Sequence, residues 1–282
     1  MPELPEVETV RRGIESRVVG RKIGQVEVGR ERSVRRVGKE AVVHGLTNTT
    51  ILTARRRGKY LLFDLDSGDE MMIHLRMSGR VLIAESGASR PPHTHVVLPL
   101  ARRDGIEEEM WFVDPRTFGE VVVYDPAHTK EVLPELARLG VDPIVDLFNA
   151  DVLAARLKGR KGALKPLLLS QHVVAGIGNI YADEILHRSG LMWNRTANSL
   201  TTPKIRLLTD SISIILRDAI DAGGSTLSDA QYVDVEGQLG SFQDQHRVYG
   251  RAGQICLTCG KAPIRKTMVA GRATSFCPRC QK

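Results

Sequence analysis

Apolar residues recur at Val7, Val10, Ile14 and Val18 behind an acidic turn of Glu3, Glu6 and Glu8, and Gly20 supplies a natural stop. A helix with one buried stripe is predicted at the head of the chain. The period then changes. Short β-rich runs follow at 23–28, 50–54, 60–65, 71–75, 81–84, 95–100, 110–113 and 121–124, separated by turn clusters such as Ser67-Gly68-Asp69. That alternation predicts a two-layer β-sandwich. Past Pro126 the pattern turns helical, with runs at 152–157, 164–169, 181–187 and an amphipathic stretch at 203–222. Their short connections predict a compact helical domain. Gly223 and Gly224 end the last helix, and the polar, aperiodic residues beyond it read as a surface loop. There is no internal repeat and no low-complexity tract.

All four cysteines fall in Cys256-x2-Cys259 and Cys277-x2-Cys280, with seventeen residues between the pairs. Two such pairs on facing turns of a β-hairpin supply four thiolates in tetrahedral geometry and leave no open position for catalysis, which predicts one structural zinc ion. Iron in the same cage and free thiols are the alternatives. Gly271 and Arg272 lie between the pairs, where a hairpin tip would project a guanidinium.

Chemistry is also concentrated at the N-terminus. Removal of Met1 before the small residue Pro2 would expose a secondary amine beside Glu3 and Glu6. An α-amino group has a pKa near 8, so about a tenth of it is neutral at pH 7, far more than of a lysine. Attack by a secondary amine on a sugar carbon gives a permanently cationic iminium, an electron sink that needs no cofactor. The competing account is purely structural, because Pro5 suits a first helical turn and the acidic residues suit the positive end of the helix dipole.

The 282 residues are enough for two medium domains and a small appendage, and 42% apolar content indicates a globular chain. The net charge of +7 fits a polyanionic partner, and four basic clusters suggest one charged groove assembled by folding. They are Arg30/Arg32/Arg35/Arg36/Lys39, Arg55/Arg56/Arg57/Lys59, Lys158/Arg160/Lys161/Lys165 and Arg265/Lys266/Arg272/Arg279. No apolar run reaches the roughly 18 residues of a membrane span, and the acidic start is unlike a signal peptide. A cytoplasmic protein without a membrane partner is expected, and cysteine usage argues against a secreted disulfide framework.

Three further segments stand out. Gly176-x-Gly178-Asn179-Ile180-Tyr181 precedes a helix, with Asn179 read as its N-cap and the glycines allowing backbone N–H groups to approach a phosphate. It lacks the third glycine of a dinucleotide fingerprint. His74-Leu75-Arg76-Met77-Ser78-Gly79 ends a strand, and Asp114-Pro115-Arg116-Thr117-Phe118-Gly119 is a turn between strands, with Pro115 holding Asp114 extended. Each alone reads as a tight turn. Jointly they place Met77 and Phe118 on turns, as apolar residues able to wedge into a base stack.

Together these segments resemble the formamidopyrimidine-DNA glycosylase family, bacterial base-excision repair enzymes for oxidised purines. The resemblance runs from residue 1 to 282. It rests on Pro2-Glu3-Leu4-Pro5-Glu6-Val7-Glu8-Thr9, Arg57-Gly58-Lys59, the His74–Gly79 and Asp114–Gly119 segments, Gly176-x-Gly178-Asn179-Ile180-Tyr181-Ala182, and the cysteine hairpin with Gly271-Arg272. The endonuclease VIII relatives usually carry Gly where Leu4 stands.

The resemblance implies an α+β fold: an N-terminal catalytic β-sandwich with its leading helix over 1–130, a helix-two-turns-helix domain with a lesion loop over 131–247, and a zinc-binding β-hairpin over 248–282. It implies a bifunctional glycosylase and lyase acting as a monomer on damaged double-stranded DNA bound in a cleft between sandwich and helices. Pro2 would attack the anomeric carbon and Glu3 would protonate the sugar, with Glu6 helping to position it. Lys59 would serve β-elimination and Arg272 δ-elimination. Met77, Arg116 and Phe118 would fill the void left by the flipped nucleotide. Phosphate contacts would come from Lys59, His93, Arg116, Arg160, Asn179 and Arg272, with His74 and Tyr181 also at the DNA interface.

Two positions depart from the family pattern, Arg160 where Lys is common and Ser275 where an aromatic is frequent. The loop over 226–242, which in the family covers the everted base, reads Leu227-Ser228-Asp229-Ala230-Gln231-Tyr232 here, a variable stretch that bears on lesion range. Two competing readings stay open, an endonuclease VIII-like enzyme for oxidised pyrimidines and a catalytically silent zinc-hairpin DNA-binding protein.

Overall fold

A computed structural model describes residues 1–227 and 232–282. The chain divides into two compact units, one of 1–138 with 223–241 and one of 139–222 with 242–282.

In the first unit, helix α1 (Leu4–Val18) buries Val7, Val10, Ile14 and Val18, the stripe its spacing predicts. Strand β1 (Glu27–Val28) is followed by a 3-10 turn (Glu31–Val34) and helix α2 (Lys39–Leu46). Strands β2 (Arg55–Arg57), β3 (Tyr60–Asp64), β4 (Glu70–His74), β5 (Arg80–Glu85), β6 (Thr94–Arg103), β7 (Ile106–Val113) and β8 (Glu120–Tyr124) complete two antiparallel sheets, ordered β1-β6-β7-β5 and β2-β3-β4-β8. A single core joins both sheets to α1 through Ile14, Phe63, Met71, Ile73, Val96, Leu98, Met110, Phe112 and Val121. The sandwich expected from the alternation is therefore present. Two expected strands are reduced: 23–28 keeps only β1 plus a bridge at Ile23, and 50–54 contributes bridges at Thr50 and Ile51. Short helices α3 (Thr129–Val132) and α4 (Pro134–Ala137) close the unit's first segment.

The second unit contains α5 (Ala150–Leu157), α6 (Leu164–Leu169), α7 (Asn179–Arg188) and α8 (Thr202–Asp221). Asn149 caps α5 by accepting from the Asp151 and Val152 amides at 3.1 and 3.0 Å. The turn before α7 is gathered by Gln171, whose amide nitrogen donates to the Leu169 and Ile177 carbonyls while its oxygen accepts from Gly176 N. Strands β9 (Arg265–Val269) and β10 (Arg272–Phe276) form a hairpin whose tip, Ala270-Gly271, has φ of +47° and +75°. Both tip residues are left-handed, as a type I′ hairpin turn requires. No helix among the described residues is long and apolar enough to cross a membrane.

Candidate nucleic-acid site

Pro2 is buried immediately before the start of α1. Glu3 and Glu6 form a reciprocal capping box, in which Glu3 N donates to Glu6 Oε2 at 2.8 Å. The other Glu6 oxygen accepts from Ser225 N at 2.7 Å, so this carboxylate ties the helix start to the 223–241 segment. Gly224 makes that approach possible: its φ is +80°, and a Cβ there would lie 2.8 Å from Glu6 Oε1. Of the expected lesion loop, positions 228–231 lie outside the described residues.

Lys59 is buried at the two-residue tip of the β2–β3 hairpin, where Arg57 pairs with Tyr60. The tip is anchored from below. Arg56, with a fully buried side chain, donates from Nη1 to the Gly58 carbonyl at 2.9 Å and from Nε to Glu8 Oε2 at 3.0 Å. Arg11 and Arg12 hold the same carboxylate. Burial pushes the Glu8 pKa up, but the hydrogen bonds and charges of Arg11 and Arg56 win and hold it below the ordinary carboxylate value. Glu8 thus links α1 to the hairpin that carries Lys59.

Met77 and Phe118 stand 41% and 39% exposed on their turns, large apolar side chains left in solvent. Arg116 stacks over Phe118, its guanidinium carbon 4.9 Å from the ring centroid. Asp114, expected only as an extended turn residue, is fully buried and organises both turns. It accepts from Ser78 Oγ at 2.5 Å, Gly119 N at 2.7 Å and Arg116 N at 3.2 Å, and its own N–H donates to the His93 carbonyl at 3.0 Å. His93 itself is exposed.

His74 is buried, edge-on to Tyr60, and its Nδ1 accepts from Arg76 N at 2.9 Å. Burial, then the charges of Arg76, Lys59 and Arg36, hold its pKa well below the ordinary imidazole value, so it is neutral at physiological pH. Its place is beneath the turn rather than on the surface.

In the second unit Arg160 and Arg272 are exposed, Arg272 at the hairpin tip as its spacing predicts. Asn179 is the first residue of α7 and not its cap: Gly178 takes that position with extended φ and ψ of −126° and −161°. Its side chain turns instead to β10, where Nδ2 donates to the Ala273 carbonyl at 3.0 Å. Tyr181 is fully buried against Phe242.

Lys165, read with the basic groove, is fully buried and unavailable to a phosphate. Its Nζ donates to Asp183 Oδ1 at 2.6 Å, Thr274 Oγ1 at 2.8 Å and the Ala273 carbonyl at 3.0 Å. Asp183 also accepts from Ser275 N, pinning β10 next to Arg272. Burial pushes the Asp183 pKa up to about 6, with the Lys165 charge opposing the rise. Two of the other clusters need the same correction. Arg55 pairs with Asp64 and Glu70, while Arg36 pairs with Glu120 and Glu135. Much of the basic character holds the fold together instead of facing outward.

The four cysteine sulfurs lie within 4.8 Å of one another, with Cys256–Cys280 and Cys259–Cys277 each 3.8 Å apart. A zinc–sulfur bond of about 2.3 Å sets tetrahedral sulfurs about 3.8 Å apart, so the cage fits one structural zinc ion. His187 Nε2 lies 3.6 Å from Cys256 Sγ, in the shell that orients a ligand.

Comparisons with known proteins agree along the whole chain. Residues 1–121 match the formamidopyrimidine-DNA glycosylase N-terminal domain, 139–231 its H2TH domain, and 253–282 a zinc finger found in FPG and IleRS. The formamidopyrimidine-DNA glycosylases of Corynebacterium jeikeium and Cereibacter sphaeroides are 40% and 43% identical, each comparison covering 100% of both chains. A crystal structure of Lactococcus lactis Fpg with DNA containing an abasic site is 38% identical, with a TM-score of 0.87 over 99% of both chains. A second complex of the same protein, with DNA containing Fapy-dG, has a TM-score of 0.87 at 38% identity, covering 99% of this chain and 100% of that one.

Proposed function

This chain belongs to the formamidopyrimidine-DNA glycosylase family, and on that basis we propose that it is a bifunctional DNA glycosylase and AP lyase of base-excision repair, acting on oxidised purines in duplex DNA. The observation that carries this reading is the buried Pro2 at the head of a capped helix, with the Lys59 hairpin tied to that same helix through Glu8 and Arg56.

Once Met1 is removed, the Pro2 nitrogen forms a bond to C1′ while the C1′–base bond breaks, its electron pair and a proton leaving with the damaged base. Glu3 delivers a proton to the sugar ring oxygen as the ring opens to the iminium. Loss of a C2′ proton then expels the 3′ phosphate, with Lys59 supplying the proton. A second elimination expels the 5′ phosphate with Arg272, leaving a gap with phosphate at both ends.

The target atom is unreachable inside a stack, so the nucleotide is everted at a cost of a few kcal/mol, with Met77, Arg116 and Phe118 filling its place. His93, Arg160 and Arg272 contact phosphates and fix register without reading sequence. At Asn179 the backbone N–H at the start of α7 serves that purpose, since the side-chain amide is engaged by Ala273.

The test is borohydride trapping on a duplex containing 8-oxoguanine. A covalent adduct at parent protein and its severe loss in Pro2→Gly are expected. Absence of any adduct with damaged DNA would overturn the proposal, and preference for an oxidised-pyrimidine duplex would move the chain to the endonuclease VIII side.

A further inference from the structure

The turns that carry Met77 and Phe118 spring from the same end of the paired strands β4 and β8, where His74 lies opposite Glu120, and two buried carboxylates join them further, the second with no part in the chemistry above. Asp114 is the first, bonding Ser78 on one side and Gly119 on the other. The second is Glu120, which is 2% exposed and receives Arg35, Arg36 and Arg76 on one carboxylate, Arg76 at 3.1 Å. Arg76 directly precedes Met77. Arg35 also donates to the Phe118 and Gly119 carbonyls at 3.4 Å, and Arg32 to the Thr117 carbonyl at 3.1 Å. Each wedge residue therefore sits between two held neighbours, Arg76 and Ser78 for Met77, Thr117 and Gly119 for Phe118.

Backbone strain marks the same places. Arg76 and Thr117 hold φ of +52° and +54°, a conformation that non-glycine residues keep only where their surroundings over-determine it. Three guanidinium groups converge on this one carboxylate, and Glu135 receives Arg36 and, at 3.9 Å, Arg76 from its other side.

We propose that Glu120 is a positioning residue for base eversion, locking the Met77 and Phe118 turns together so that both side chains enter the duplex as one pre-set wedge. The proposal rests on the void-filling role given to these side chains above. A wedge assembled beforehand needs no ordering of two separate loops when DNA is bent open, and that ordering otherwise slows the step.

Stopped-flow fluorescence of 2-aminopurine placed beside an 8-oxoguanine reports the unstacking. Glu120→Gln is expected to slow it about tenfold, while adduct trapping on an abasic site facing a one-nucleotide gap, where there is no stack to open, stays within about twofold. Arg76→Gln leaves Glu120 with Arg35 and Arg36, so it tests the joint without uncovering a buried charge. It is expected to slow unstacking in the same direction, and the double variant to be no slower than Glu120→Gln alone. Equal loss on both substrates would show a merely structural role and overturn the proposal. So would unchanged unstacking in both variants while Met77→Ala and Phe118→Ala slow it. Were those two alanine variants themselves without effect, the wedge reading would fall first and take the proposal with it.

Discussion

The Glu8–Arg56 pair offers a sharp test because Glu8 serves three arginines while Arg56 also anchors the Gly58 carbonyl. The Arg56 side chain has no exposure and that of Glu8 has 7%. In Arg56→Met, Glu8 keeps Arg11 and Arg12, so no carboxylate is stranded. Charge-assisted bonds to Glu8 and to the Gly58 carbonyl are among those lost, while a long apolar stem still fills the space. Each such bond contributes about 1.5–3 kcal/mol, and the loss is partly offset because a buried guanidinium no longer has to be desolvated, a cost of several kcal/mol. In Glu8→Gln the Glu8 charge is lost to Arg56, Arg11 and Arg12 together while the Arg56 guanidinium stays buried, and breaking a buried pair from one side costs about 3–5 kcal/mol. Urea denaturation should therefore rank Glu8→Gln as the more destabilising change. Activity should order the other way by step: with the Gly58 anchor gone in Arg56→Met, the Lys59 tip loses its register, so strand scission in single turnover falls more than base release. Greater destabilisation by Arg56→Met, or an equal fall in both steps, would refute the reasoning.

Other outcomes follow from the same geometry. Stripping zinc with a strong chelator, or Cys280→Ser, should unfold the β9–β10 hairpin and abolish tight duplex binding, since structural zinc contributes about 10 kcal/mol or more of folding free energy; a metal assay should find one zinc per parent chain, and tight binding retained in the variant or after chelation would contradict this. Gly224→Ala should destabilise by more than about 1 kcal/mol from left-handed strain alone, because its Cβ also collides with Glu6, and denaturation midpoints check it. His74 is buried neutral, its folded pKa well below the ordinary 6.5. Its contribution is present above pH 6.5 and is lost as pH falls below it, because the unfolded chain gains a proton the folded one refuses. The slope approaches about 1.4 kcal/mol per pH unit, and His74→Gln should flatten stability against pH between 6.5 and 5.

Much of this molecule is legible without coordinates where one local rule decides. The 3.6-residue stripe of α1 and the paired cysteines are of that kind, since each needs only neighbours in sequence. Helix α2 escapes although it is as long as α5, because Gly38 caps it without a side chain and Val42, Val43 and Gly45 are poor helix formers, whereas Asn149 marks the start of α5. Asn179 misleads because it is a good cap by chemistry, yet Gly178 reaches the extended backbone first and frees the amide for Ala273. Lys165 misleads more deeply. Its basic neighbours Lys158, Arg160 and Lys161 are exposed, and only folding brings Asp183, eighteen residues on, against it.

The arginines make a related point about reading charge from composition. A surplus of seven positive charges says that a polyanion is welcome, but it does not say which guanidinium groups will meet it. That is decided by the supply of carboxylates and unpaired carbonyls nearby. Arg32 and Arg35 bond backbone carbonyls of the Phe118 turn, and Arg35, Arg36 and Arg76 share Glu120. Arg116, Arg160 and Arg272 stand exposed instead. Strain follows the same division. Among the described residues, four of the six non-glycine positions with positive φ are Arg76, His93, Thr117 and Ala270. They either are proposed DNA contacts or stand within two residues of Met77, Phe118 and Arg272. At roughly 1–3 kcal/mol each, such backbone is retained only if something holds it, and here Asp114 and Glu120 do so for the first three through bonds to their own or adjoining residues. The inward arginines and the buried acids are thus the means by which a few outward side chains are kept in positions the chain would not adopt unaided.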